Sequence, residues 1–154
     1  MFDVRKAESA LAEFQRLLDE TPAGAPHVRV ASDAWTLAEI VGHLIDSAGN
    51  NHQRFVRLRF GDLAGFPAYE AEPWVEAQGC DGCDFASLAA LWSHFNELLL
   101  HLARTAPEAA LCNSWTLDGE TLTLDFLQND YYAHLGMHAE HYRVRLDEVR
   151  LAMA

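Results

Sequence analysis

The chain has 154 residues, half of them hydrophobic, and a formal net charge of −12 at pH 7, enough apolar material for a single self-standing domain over residues 1–154. The acidic balance excludes a broad nucleic-acid footprint, because such binding rests on Lys and Arg displacing counterions; Lys6 is the only lysine, and the one basic cluster is Arg54, Arg57 and Arg59. No stretch approaches the roughly 18 to 20 apolar residues of a membrane span, and Met1 to Lys6 lack the layout of a secretory signal, so the expectation is a cytoplasmic protein without membrane partners.

In chain order, Val4, Ala7, Leu11, Phe14, Leu17 and Leu18 recur every three or four positions, the spacing of one helix face. This first helix, Phe2 to about Leu18, ends before the Pro and Gly of residues 21–26. The second starts at Thr36, which with Glu39 three residues on forms a capping box, and Trp35 and Ile40 are placed to staple that end. Leu37, Ile40, Val41, Leu44, Ile45 and Ala48 continue its stripe through Phe55 and Leu58 towards Gly61.

A long connection from Gly61 to Asp84 follows, with Phe66, Tyr69 and Trp74 expected to lay it on the bundle; connections of that length often carry function. It contains Cys80 and Cys83. With Cys112 they are an odd, sparse set, read as reduced thiols rather than a disulfide framework or a metal motif. A third helix from about Phe85 carries Leu88, Leu91, Trp92, Phe95, Leu98, Leu99 and Leu102 on one stripe. Residues 114–122 alternate apolar and polar around Asp118-Gly119, a hairpin signal, but are read here as an extended connector. The last helix, about Thr123 to Val149, sets Leu124, Leu127, Tyr131, Leu135, Tyr142, Leu146 and Val149 on one side. Four long helices predict an all-α four-helix bundle.

Eight histidines are many for such a chain. His134 and His138, one turn apart, face the same way at about 100° per residue and can converge on one ion. A third imidazole must come from another helix. His43, His94 and His101 each border an apolar stripe, and periodicity leaves the choice open. Three neutral imidazoles suit zinc, nickel, iron or copper better than calcium or magnesium and leave a coordination position free. The plainer reading is that two histidines four apart arise by chance and His138 is a hydrogen-bonded core residue.

The stretch Trp35-Thr36-Leu37-Ala38-Glu39-Ile40-Val41-Gly42-His43-Leu44 resembles the second-helix signature of the DinB/YfiT-like proteins. Residues 130–138, in which His134 and His138 follow Tyr131 and Tyr132, are similar to that family's last-helix motif. Phe66 to Tyr69, Trp74 to Gly79, Leu91-Trp92 and Asn96 resemble the loop and third helix of one branch, so the likeness spans about Val30 to Val149. The resemblance implies an up-down-down-up bundle, often a homodimer, whose divalent metal is held at positions matching His43, His134 and His138. His94 and His101 match no ligand position. His141 stands where the family commonly has glutamine, and is read as an exposed substitution rather than a spare ligand or proton shuttle. Asp130, one turn before His134, is a candidate to orient that imidazole, against the plainer reading of a solvated carboxylate.

Members of the wider family include transferases that use low-molecular-weight thiols and metal-dependent hydrolases. The resemblance therefore implies a small-molecule substrate, a divalent transition metal with zinc or nickel favoured, and a thiol co-substrate. The alternative is a non-catalytic dimeric module, for stress response or ligand binding, in which the metal only pins helices together. A fourth protein ligand would favour that alternative; an open position favours catalysis.

Overall fold

The computed structural model describes residues 1–154. Local signals decide where each helix begins. Helix α1 (Val4–Asp19) is capped by Asp3, whose side chain accepts from the Lys6 amide. Helix α2 (Leu37–Arg57) starts at the expected capping box, in which Thr36 accepts from the Glu39 amide and Glu39 from that of Thr36. Strand β1 (Leu63–Ala64), the short helix α3 (Ala71–Gln78) and a 3₁₀ turn at Cys80–Gly82 precede α4 (Phe85–Arg104), which Asp84 caps. Strands β2 (Ser114–Leu117) and β3 (Glu120–Thr123) lead into α5 (Leu124–Met153), capped by Thr123. None of these helices is long and apolar enough to cross a membrane.

The four long helices form a ring in which α1 packs on α5, α5 on α2, α2 on α4, and α4 back on α1. Side-chain pairs give their directions. Phe2 meets Tyr132 and Phe14 meets Tyr142, so α1 and α5 run parallel. His52 meets Phe95 and Arg59 meets Leu102, so α2 and α4 also run parallel. His43 meets His138 while Phe55 meets Tyr131, so α2 and α5 are antiparallel. The order is up-down-down-up. Parallel neighbours need a connection that travels back along the bundle, which for helices of this length is about 30 Å. That return explains why residues 58–84 are so many, and on the way they carry β1 and α3.

One cluster of 28 buried residues fills the interior. Phe14 lies between Trp92 and Tyr142, with ring centroids 4.7 and 5.2 Å away, within the range of favourable aromatic pairs. Across the bundle the fully buried Tyr131 hydroxyl donates to Asn96 Oδ1 at 2.7 Å, and Asn96 Nδ2 donates to the Trp92 carbonyl. This satisfied polar pair ties α4 to α5, which are not neighbours in the ring.

Three expectations are corrected. Residues 114–123 are not an extended connector but an antiparallel hairpin, with Ser114 opposite Thr123 and Leu117 opposite Glu120. Its two turn residues, Asp118 (φ 51°) and Gly119 (φ 86°), both take left-handed conformations, the requirement of a primed two-residue turn whose twist matches the strands. Strand β1 adds in parallel to β2, Leu63 opposite Trp115, giving a three-stranded sheet at one end of the bundle. The connection from Gly61 to Asp84 is likewise not all loop. Leu91 and Leu98, expected on the buried stripe of α4, are 51 % and 44 % exposed, because the neighbours of α4 cover only one flank and the buried row is Leu88, Trp92, Asn96, Leu99 and Ala103.

Cys80 has a packing role. It is buried, and a Cβ added at Gly42 of α2 would stand 2.6 Å from its Sγ, so the missing side chain at Gly42 lets the 3₁₀ turn lie against α2.

The Asn96 and Tyr131 pair gives a stability test. Replacing Asn96 by Ala leaves the buried Tyr131 hydroxyl without its acceptor, and the expected loss is about 1–3 kcal/mol in urea unfolding. Adding Tyr131→Phe should recover part of it, because the orphaned hydroxyl goes too. Equal stability of Asn96→Ala and the unmodified protein would contradict this account of the core.

Candidate metal centre

The antiparallel contact of α2 with α5 brings three imidazoles together. His43 lies six residues after Leu37, the first residue of α2, and is 4 % exposed; His134 and His138 project from one face of α5. His43 Nε2 stands 3.2 Å from His138 Nε2, which stands 3.1 Å from His134 Nε2. Each residue offers one ligand atom within 4.8 Å of the others, and no further His, Cys, Asp or Glu joins the cluster. Two nitrogens sharing a tetrahedral zinc at about 2.0–2.1 Å sit about 3.3 Å apart, close to both observed separations.

Protons account poorly for this arrangement. A ring nitrogen carries either one proton or one lone pair, so His138 Nε2 cannot make two full-strength hydrogen bonds at once. One cation shared by three lone pairs satisfies all three Nε2 atoms. The donor set therefore fits a divalent transition metal: borderline-soft nitrogen ligands, three in number, with a position left open. The outer nitrogens of His43 and His138 are buried without a partner. Ring packing holds His43 instead, with Trp35 and Tyr69 at centroid distances of 5.3 and 6.3 Å.

Burial keeps the imidazoles neutral. Desolvation, followed by the charge His134 would carry, pushes His43 down to about 4. Desolvation and the same mutual repulsion push His138 to about 3. His134 is lowered by desolvation too, with Asp130 opposing. Neutral imidazoles are the form that binds metal.

Ser47, Asn51, Arg54, Tyr69, Trp115, Asp130 and His134 help line a cavity of about 190 Å³ that reaches the cluster at His134. A separate cleft of about 290 Å³ is lined by Asp33, Trp35, Glu72, His141 and Arg145, and Trp35 packs on the His43 ring. Asp130 is exposed and touches the chemistry of His134 only through charge. His141 is half-buried rather than exposed, with its ring 6.0 Å from that of His138, and desolvation with nearby Arg145 lowers its pKa. His94 and His101 are exposed on α4, and His94 faces Glu97 instead. Cys80 and Cys83 are free thiols outside the cluster, and burial pushes Cys80 up to about 11, the wrong direction for a reactive thiolate.

Arg54, Glu72 and Trp115 were not singled out from the sequence. Glu72 and Trp115 arrive on α3 and the hairpin, which no local pattern could direct to the histidines. Arg54 did leave a signal. It is eleven residues after His43, or about 1100° of helix and hence within about 20° of the same face.

A mostly helical up-down-down-up bundle with three converging histidines defines a class of candidate metalloproteins. Residues 6–142 match the model of the DinB superfamily, and the chain belongs to that family. Its fold is similar to that of YfiT from Bacillus subtilis, described as a probable metal-dependent hydrolase with an unusual four-helix bundle topology, at 19 % identity over 97 % of this chain and 85 % of that one, TM-score 0.77. It is also similar to a mycothiol-dependent maleylpyruvate isomerase, at 14 % identity, TM-score 0.67, over 95 % of this chain but only 58 % of the isomerase; a histidine-to-alanine mutant of that isomerase matches comparably, TM-score 0.68. At these identities the likeness is one of fold. No curated protein matches the chain by sequence.

The lowered values set a pH dependence. In the unfolded chain these imidazoles take protons near 6.5, whereas in the folded, metal-free protein His43 and His138 resist until about 4 and about 3. The unfolded state therefore binds more protons between those limits, so the stability these two groups contribute is full above 6.5 and is lost as pH falls through 4 towards 3. NMR titration of the metal-free protein should show both rings neutral at pH 5. A midpoint near 6.5 for either would contradict the buried geometry.

Proposed function

We propose that this protein binds one divalent transition metal, zinc or nickel by preference, through His43, His134 and His138, and is a metal-dependent enzyme acting on a small electrophilic molecule with a low-molecular-weight thiol or water as nucleophile. The observation that carries the reading is the meeting of three Nε2 atoms with no fourth protein ligand, beside a cavity that reaches His134. A three-ligand set is the pattern of catalytic rather than structural zinc sites. When bound, the metal lowers the pKa of a thiol or water in its open position and so supplies a nucleophile at neutral pH.

The chain's own residues do the rest. The Trp35 and Tyr69 rings that flank His43 wall the site and limit water. His141, kept neutral by burial and Arg145, lines the cleft beside Glu72 and is placed to take the proton that an entering thiol or water gives up. The soft thiolate is the nucleophile that gains most from zinc or nickel, which favours thiol transfer over hydrolysis.

Protein purified without added metal should contain close to one transition-metal ion per chain by elemental analysis, and His134→Ala or His138→Ala should lose it. Cys80→Ser with Cys83→Ser should keep it. Retention by both histidine variants would reject the ligand assignment, and loss in the double serine variant would reject the exclusion of these thiols from the metal site. With the metal in place, a thiol supplied with a panel of epoxides and alkyl halides should be consumed in a metal-dependent way. Absence of consumption across the panel would overturn the thiol-transfer reading.

A further inference from the structure

Arg54 is 7 % exposed, yet its Nε is buried with no hydrogen-bond partner. The other members of its cluster are provided for: Arg57 is exposed and donates to Gln53, and Arg59 donates to the Leu102 carbonyl and to Thr105. No carboxylate is in salt-bridge contact with Arg54, although Asp130 lines the same cavity; burial lowers the pKa of Arg54, and the Tyr69 hydroxyl opposes that. A guanidinium remains charged under such conditions, and a buried cation without a counter-charge is costly. The feature calls for an anion from outside the chain.

The surroundings say which kind. The guanidinium carbon lies 4.1 Å above the centre of the Trp115 ring, and Trp115 is held by its own indole N–H, which donates to the Phe66 carbonyl at 2.8 Å. Stacking occupies one face of the guanidinium and leaves its edge, where the N–H fork lies, free. The cavity it lines, about 190 Å³, also carries Leu122, Leu127 and Tyr131, with His134 and the Asp130 carboxylate as its other ionisable groups beside Tyr69. At roughly 30 Å³ per water it displaces about six, the size of a short organic fragment. Because helical side chains lean towards the N-terminus, Arg54 reaches back in the direction of His43.

We propose that Arg54 and Trp115 form a carboxylate-binding subsite, which takes the acid end of a small organic acid and points its remaining carbon skeleton past His134 towards the three imidazoles. The planar fork of Arg54 matches the two oxygens of a carboxylate, and the apolar part of the lining suits the carbons behind it. The substrate class is therefore an organic acid whose electrophilic centre is remote from its carboxylate. The use of the subsite in catalysis rests on the metal-site reading above; the binding of the anion does not.

The test uses the full chain stripped of metal by chelator, with benzoate as probe, neutral benzamide and inorganic phosphate as controls, and the Trp115 indole N–H signal in NMR as readout. Benzoate should bind saturably and shift that signal, benzamide should not, and phosphate should compete weakly. Arg54→Gln should weaken benzoate at least roughly tenfold, the scale of a lost charge-assisted hydrogen bond. Arg54→Lys keeps the charge but loses the fork and decides the matter if the Gln variant does not fold; its affinity should fall by about threefold or more. Equal binding by the Lys variant, equal binding of benzamide, or tighter binding of phosphate than benzoate would overturn the proposal. His43→Ala, at a cluster histidine outside the lining of this cavity, should lose metal and still bind benzoate. Benzoate binding in a protein that takes up no metal would uphold the subsite while rejecting the metal reading, and metal uptake without benzoate binding would do the reverse.

Discussion

Three unprotonated imidazoles, held nitrogen to nitrogen at 3.1 and 3.2 Å where α2 crosses α5, are the constraint around which this molecule is arranged. Brought together without a cation they leave lone pairs facing one another in a half-buried place, and each proton added to one ring is resisted by the next. Such a cluster persists only because the surrounding packing fixes it. Leu37, Ile40, Val41 and Leu44 on α2 and Leu135 and Tyr142 on α5 are all essentially buried around it, so the apolar faces that build the core also set the spacing of the histidines.

The antiparallel crossing of α2 and α5 follows from the up-down-down-up order, and that order makes the chain spend residues 58–84 returning along the bundle. The return path is put to use. It brings Tyr69 against His43 and Glu72 into the cleft, while the α4 to α5 connection folds into the hairpin that carries Trp115 beneath Arg54. Topology and site thus belong to one solution: the parallel pair of α2 and α4 requires a long link, and that link, with the hairpin before α5, supplies walls to the hollows near the histidines.

Much of this was legible in the residues because it is local. The start of α2 could be read from Thr36 and Glu39 because a capping box is satisfied within four residues, and the pairing of His134 with His138 follows from helix geometry alone. The third histidine was not local. His43, His94 and His101 have similar surroundings in the sequence, and only the placement of α4 away from α5 separates them; the resemblance to the DinB family points to His43. Asp118-Gly119 spells the turn of the hairpin, but a two-residue signal is faint beside four long helical periodicities, and the pairing of its strands is not written in either strand alone. Leu91 and Leu98 were misplaced since periodicity gives a face but not its width. Arg54 lies on the face of His43, but in the sequence it stands only as part of a basic cluster, and its stacking depends on Trp115 arriving from about sixty residues away.

The central claim is that three imidazoles and no other side chain hold one metal. X-ray absorption spectroscopy of the metal-loaded protein reads this directly. The account predicts a shell of three imidazole nitrogens at about 2.0–2.1 Å with one exchangeable oxygen and no sulfur. A sulfur shell near about 2.3 Å, or a first shell built from fewer than three imidazoles, would contradict it.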